Sequence, residues 1–171
     1  MNRSVVFTSP WLRLVAEDSD GEEPYYVVEL DDYVTVVART AAGTFALVRQ
    51  HRPVTGRESL EFPSGHVDAG ETAEQAGRRE LLEETGMIAG EMQLLGVLVP
   101  DIGRLRNKMW CYFAGDVAPA VAAAREQGID VLEVREDTLL AMATDGRIEH
   151  ALNLAVLFLA VRKGCVRMHP E

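Results

Sequence analysis

Cysteine, positive charge and long apolar runs are all in short supply in this sequence. The chain of 171 residues carries two cysteines, Cys111 and Cys165. Two thiols make no disulfide framework, and neither has a metal-ligand partner nearby in the sequence. Both are expected to be reduced and mostly buried. The longest apolar run, Ala151 to Val161, is interrupted by Asn153. It falls far short of the roughly 20 residues that a membrane span needs. Met1 to Pro10 holds no apolar stretch of signal-peptide length, so a cytoplasmic protein is expected. Lys plus Arg number 17 against 27 for Asp plus Glu, a net charge of −10. Nucleic acid and anionic membranes both attract a positive field, so this balance argues against either as a partner. Binding phosphate would then need local arginines or metal ions.

What is present reads as an ordinary globular chain. Apolar residues make up 47%, the share of a chain that folds, and the length suits one domain over residues 1–171. Trp11 to Val15, Tyr25 to Leu30, Tyr33 to Ala38 and Phe45 to Val48 are rich in β-branched and aromatic residues and read as strands. Turn-forming residues separate them. A loop is expected at His51 to Arg57, then a short strand running into a turn over Leu60 to Gly65. Further strands fit Met92 to Val99, Met109 to Ala114 and Val131 to Val134. Helices fit Glu136 to Thr144 and Glu149 to Arg162. Ala118 to Ala124 reads as a short helix or a mobile loop. The order is that of a mixed α/β protein, with a mixed or mostly antiparallel sheet between helices.

The clearest helix starts after Thr72. Thr72-Ala73-Glu74-Gln75 fits a capping box, and Gly86 sits where a left-handed residue would end the helix. At about 100° per residue, Ala73, Ala76, Gly77, Glu80 and Glu84 share one stripe, with Glu83 beside it. The small residues allow close approach to a neighbour. The carboxylates on the same inward face are costly, because like charges repel at these spacings and burial adds several kcal/mol per ion. A hard divalent cation is the natural compensation. The simpler alternative is a solvated acidic face paired with Arg78 and Arg79.

Read outward from these glutamates, Gly65, Glu71, Arg79, Glu80, Leu81, Glu83, Glu84, Gly86 and Met87 fall at the spacing of the Nudix box, 23 residues from Gly65 to Met87. The segment resembles the Nudix hydrolases, enzymes that cut nucleoside diphosphates linked to another moiety. The resemblance implies an α/β/α sandwich with a mixed central sheet, preceded by an N-terminal antiparallel strand region over 1–32. It implies Mg²⁺, or Mn²⁺, held by Glu80, Glu83, Glu84 and a carbonyl that falls on Ser64. Arg79 then orients a box glutamate, and Glu71 supports it. A homodimer is implied as well.

A second resemblance lies outside the box. Arg49-Gln50-His51-Arg52-Pro53, Glu61-Phe62-Pro63-Ser64-Gly65, Asp68-Ala69-Gly70-Glu71 and Val99-Pro100-Asp101-Ile102-Gly103 are similar to segments of the ADP-ribose and ADP-sugar pyrophosphatases. By this resemblance Arg52 contacts the diphosphate, and Glu61 and Gly103 fall at substrate-binding positions. The implied reaction cleaves the diphosphate of ADP-ribose or a related nucleoside diphosphate sugar. Hydrolysis of nucleoside triphosphates, dinucleotides or RNA caps, and a non-catalytic sensor, are the alternatives. The general base is a box glutamate or a carboxylate on a later loop, where Glu126 leads, with Asp130 and Glu133 behind it. Trp11, ahead of Tyr25, Tyr26 and Trp110, is the candidate for stacking on the base. Arg104, Arg106 and Lys108 are candidates for added positive charge near the phosphates. His51, His66, His150 and His169 show no ligand-like spacing and read as surface or structural residues.

Overall fold

A computed structural model describes residues 3–19, 23–121 and 125–168. In chain order its elements are β1 (Arg3–Thr8), β2 (Arg13–Glu17), β3 (Tyr25–Glu29), β4 (Tyr33–Thr40), β5 (Phe45–Arg52), β6 (Arg57–Glu61), β7 (Ser64–His66) and α1 (Ala73–Thr85). These are followed by β8 (Met87–Ile88), β9 (Met92–Leu98), β10 (Leu105–Arg106), β11 (Met109–Pro119), β12 (Ile129–Val134), α2 (Glu136–Thr144) and α3 (Ala151–Arg162). Strands β1, β2 and β3 form the antiparallel N-terminal sheet, with β10 parallel to β3 at its edge. The central sheet runs β12-β5-β4-β11-β8, with β6 on β5, β7 on β4 and β9 on β11. Among the described residues only β4 and β11 run parallel within it, from Tyr33 opposite Met109 to Thr40 opposite Val117. The sheet is therefore mixed.

Alternation along its strands gives this sheet two apolar faces. Val34, Val36, Ala38, Ala46, Tyr112 and Ala114 pack with Ala76 and Leu81 of α1. Val37, Phe45, Leu47, Met109, Cys111 and Phe113 pack with Leu139 and Met142 of α2 and with Val156, Leu157 and Ala160 of α3. This is the α/β/α sandwich. Gly77 permits the close seat of α1: a Cβ there would lie 3.0 Å from Met92 Cε and 3.2 Å from a methyl of Val34 and of Val36. Both cysteines are free and buried, and burial pushes the Cys111 thiol up to about 12.

Several elements differ from the sequence reading. The expected loop at His51 to Arg57 shrinks to a hairpin turn, because His51 pairs with Glu58 and Arg52 with Arg57. Gly56 closes that turn at φ +66°. Strand β1 falls in the N-terminal strand region that the resemblance implied but was not read from its own residues; all six of them are exposed, so it carries no buried-face signal. Ala118 and Pro119 extend β11 to meet β8, and residues 122–124 of the alanine-rich segment lie outside the described residues, as does His169. Among the described residues, no helix is long and apolar enough to cross a membrane.

Candidate functional site

Helix α1 carries most of the site, and both of its ends are fixed. Thr72 Oγ1 accepts from the Gln75 N–H at 3.2 Å, and Gln75 Oε1 accepts from the Thr72 N–H at 2.7 Å. Gly86, at φ 73°, stops the helix and donates its N–H to the Leu82 carbonyl. Between them Glu80 and Glu84, one turn apart, face inward and are 8% and 3% exposed.

Glu84 Oε2 accepts from the Ser64 N–H at 2.9 Å. Burial nonetheless pushes its carboxyl up to about 8, with the charges of Glu80 and Glu126 acting in the same direction. Burial raises the Glu80 carboxyl too, although Arg79 opposes it. Arg79 is the hub of the acidic cluster. Its Nη1 donates to Glu80 at 2.7 Å and to Glu83 at 3.2 Å, and its Nη2 to Glu71 at 2.7 Å and the His66 carbonyl at 2.9 Å. Glu71 is held below its ordinary range by Arg79 and by the Asp68 N–H. Gly65 lies against Glu80 so closely that a Cβ would fall 2.0 Å from Glu80 Oε1.

A second arm comes from β5 and β6. Arg52 Nε and Nη2 donate to the two carboxylate oxygens of Glu61 at 2.7 and 2.6 Å, a bidentate pair. Burial alone would raise Glu61, which is 3% exposed, but the Arg52 bonds outweigh it and hold the carboxyl below its ordinary value. Arg52 also feels the charges of Glu84 and Glu126. Its Nη1 lies on the side away from Glu61.

The segment after β11 returns to α1. The Ala120 N–H donates to the Gly86 carbonyl and the Glu126 N–H to the Glu83 carbonyl, both at 2.8 Å. This brings Glu126 close enough for its charge to act on Glu80, Glu84 and Arg52. Asp130 is instead paired with Arg49 at 2.6 Å, and Glu133 accepts from Thr44 at 2.7 Å.

Other candidates sit apart from the box. Trp11, 71% exposed, lines a cavity of the N-terminal sheet with Arg13, Glu29 and Asp31. Gly103 accepts from the Tyr25 hydroxyl. Arg104 lies over the Tyr25 ring, and Arg106 pairs with Glu17 and Glu29, so both arginines serve the N-terminal sheet. Trp110 donates to Asp32 at 3.0 Å. One contact that sequence reasoning missed lies under the second arm: buried Asn153 accepts from the Phe62 N–H. Its only sequence signal was a polar residue inside an apolar helix.

The donor set suits a hard divalent cation: carboxylate oxygens, two of these groups buried, with Arg79 bonded to Glu80 and Glu83 and the Ser64 N–H to Glu84, beside a strand end in which glycine leaves room. Among the described residues no three acidic, histidine or cysteine groups already close on one point; Arg79 Nη1 reaches both Glu80 and Glu83.

The family model of the NUDIX domain matches residues 29–130. A Caenorhabditis elegans protein named nudix hydrolase 2 is 34% identical over 125 residues, covering 67% of this chain and 56% of that protein. The ADP-sugar pyrophosphatase of Mus musculus is 55% identical over 40 residues, 23% of this chain and 18% of that one. The chain thus spans little more than half of the first relative and under a fifth of the second. A crystal structure of an ADP compounds hydrolase superposes with a TM-score of 0.81 at 24% identity, covering 98% of this chain and 95% of that one; at that identity the likeness is one of fold.

Proposed function

The chain belongs to the NUDIX family, and on that premise we propose that it hydrolyses the diphosphate bond of ADP-ribose or a related nucleoside diphosphate sugar, releasing a nucleoside monophosphate and a sugar phosphate. One observation carries the reading: two buried glutamates on α1, Glu80 and Glu84, lie within reach of the charge of Glu126, and Glu84 also within reach of Arg52, an arginine already clamped by Glu61. The 40-residue stretch that is 55% identical to the mouse ADP-sugar pyrophosphatase supports the substrate class.

Glu80, Glu83 and Glu84, with the Ser64 carbonyl, would hold Mg²⁺ or Mn²⁺. A divalent ion bound there offsets phosphate charge and lowers the pKa of bound water. Arg79, tied to Glu71, holds Glu80 and Glu83 in place. Arg52, locked on one side by Glu61, presents its remaining edge to the diphosphate, a planar donor matched to phosphate oxygens. Glu126 takes the proton of the attacking water. Trp11 stacks on the base, and Gly103 is a further substrate-binding position. Exposed Val5, Val6, Phe7 and Trp11 favour a homodimer joined through the N-terminal sheet.

The test is a panel of ADP-ribose, ADP-glucose, GDP-mannose, UDP-glucose, NADH, diadenosine polyphosphates and dNTPs with Mg²⁺, with products identified. AMP plus ribose 5-phosphate from ADP-ribose is expected, abolished by Glu84→Gln. Turnover confined to dNTPs, or ligand binding without turnover, refutes the proposal.

A further inference from the structure

Helix α3 is apolar along nearly its whole length, yet Asn153 near its start is 2% exposed. A buried amide is costly unless its polar atoms are paired. Both ends of this one are engaged. Oδ1 accepts from the Phe62 N–H at 2.6 Å, and Nδ2 lies 2.6 Å from His150 Nδ1. Since Oδ1 faces a donor, Nδ2 must be the amide's outward end, and it donates to Nδ1. That bond requires the His150 tautomer with its proton on Nε2.

The place of this contact matters more than its strength. The β5–β6 ladder stops at Val48 opposite Glu61, and the β4–β7 ladder starts at Thr35 opposite Ser64. Phe62 and Pro63 lie between the two ladders. Pro63 has no N–H to give, and its carbonyl ties the gap to β4 by accepting from the Val36 N–H at 2.9 Å; the Phe62 N–H, the backbone donor of the gap, goes instead to the Asn153 side chain. On one side of the gap Glu61 holds Arg52 by two bonds. On the other the Ser64 N–H meets Glu84. His150 Nδ1 also lies 4.0 Å from Glu61 Oε2, so the same ring flanks the carboxylate that aims Arg52.

We propose that Asn153, oriented by His150, is a positioning residue: it fixes the Glu61–Ser64 junction and through Glu61 sets the direction in which Arg52 meets the diphosphate of the substrate. The kinetic part of this inference rests on the function proposed above. The structural part does not.

The experiment compares wild type and Asn153→Leu, each with Arg52 intact and with Arg52→Ala. The first readout needs no substrate: hydrogen exchange of the Arg52 Nε–H by NMR. Exchange at least about tenfold faster in Asn153→Leu is expected, because the Glu61 acceptor loses its fixed place. The second readout is ADP-ribose hydrolysis. With Arg52 intact, a rise of about tenfold in KM is expected, with kcat changed less, the scale on which partners that orient a site group act. With Arg52→Ala the same substitution should change kcat/KM by less than about twofold, since a residue acting through Arg52 has nothing left to act on. Equal losses in both backgrounds, or unchanged Arg52 Nε–H exchange, overturn the proposal. If Asn153→Leu does not fold, His150→Ala at the exposed rim is read against the same criteria. Should wild type hydrolyse no compound of the panel, the functional reading fails, and Nε–H exchange alone decides whether Asn153 positions Arg52.

Discussion

Glu84 combines burial, a neighbouring Glu80 and a backbone donor from Ser64, and burial, with Glu80, pushes its carboxyl up from about 4.5 to about 8. A carboxyl raised in the folded state binds its proton more tightly there than in the unfolded chain. The metal-free protein should therefore lose stability as pH rises from about 4.5 to about 8, on the order of a few kcal/mol, with no further loss from this group above that window. Mg²⁺ added at pH 8 should raise Tm more than at about pH 5.5, where Glu84 is still protonated. A Tm insensitive to pH across the window in EDTA would contradict this reading of Glu84. Glu126 supports a second prediction at the same scale. If it is the base, Glu126→Gln should lower kcat about a hundredfold or more while Tm holds; near-normal turnover would return the role to a box glutamate. Glu80 and Glu84 were legible in the sequence because their spacing on one helix puts them on one face, whereas the pairing of Arg79 with Glu71, which precedes the helix, was implied by the family resemblance alone. Asn153 was not legible, because its partner Phe62 stands 91 positions away in the chain and only packing of α3 under β6 brings them together. Ser64 was legible as a position, whereas the role of its N–H toward Glu84 emerged only from the geometry.

Helix α1 is defined by two local devices with different consequences. The capping box at Thr72 satisfies two free amides at the N-terminal end. Gly86 closes the other end and also receives the returning segment through its carbonyl, next to the Glu83 carbonyl that holds the Glu126 N–H. Thr72→Ala should cost about 1 kcal/mol in urea unfolding and leave kcat nearly unchanged, since the glutamates Glu80, Glu83 and Glu84 lie at the far turns. Gly86→Ala should cost about 1–2 kcal/mol, because its φ of 73° disfavours any Cβ. A Cβ there would also lie 3.3 Å from Arg125 Cγ. This second variant should therefore lower kcat as well. Equal kcat in both variants would separate Glu126 from the helix end. The element boundaries show the same division between local and long-range information. α1 and α2 stand where local pattern put them. β5 runs on to Arg52 through residues that read as a loop, because β6 supplies its partner, and β1 exists through pairing with β2 alone.

At the scale of the whole molecule, the net charge of −10 does not exclude an anionic substrate. Four of the acidic residues, Glu71, Glu80, Glu83 and Glu84, are gathered in one box, where a bound divalent ion would offset them; the metal-free site would repel a diphosphate and a loaded one would attract it. The N-terminal sheet poses a different problem. β1 is an edge strand, and Val5, Val6 and Phe7 on it are 56%, 54% and 55% exposed, with Trp11 beyond it at 71%. An edge with free backbone groups and apolar side chains invites pairing with another chain unless something covers it. A second copy of this chain covers it in the proposed homodimer. Light scattering at micromolar concentration should then give twice 18.8 kDa. Phe7→Asp should shift the protein to the monomer, because a carboxylate buried against a second apolar edge is unpaired. A wild type that remains monomeric at those concentrations, or a Phe7→Asp variant that remains dimeric, would place the contact on another face. If the dimer also sets the Trp11 wall of the base site, the monomeric variant should show a raised KM for ADP-ribose at nearly unchanged kcat, as expected when a binding contact is lost away from the reacting bond.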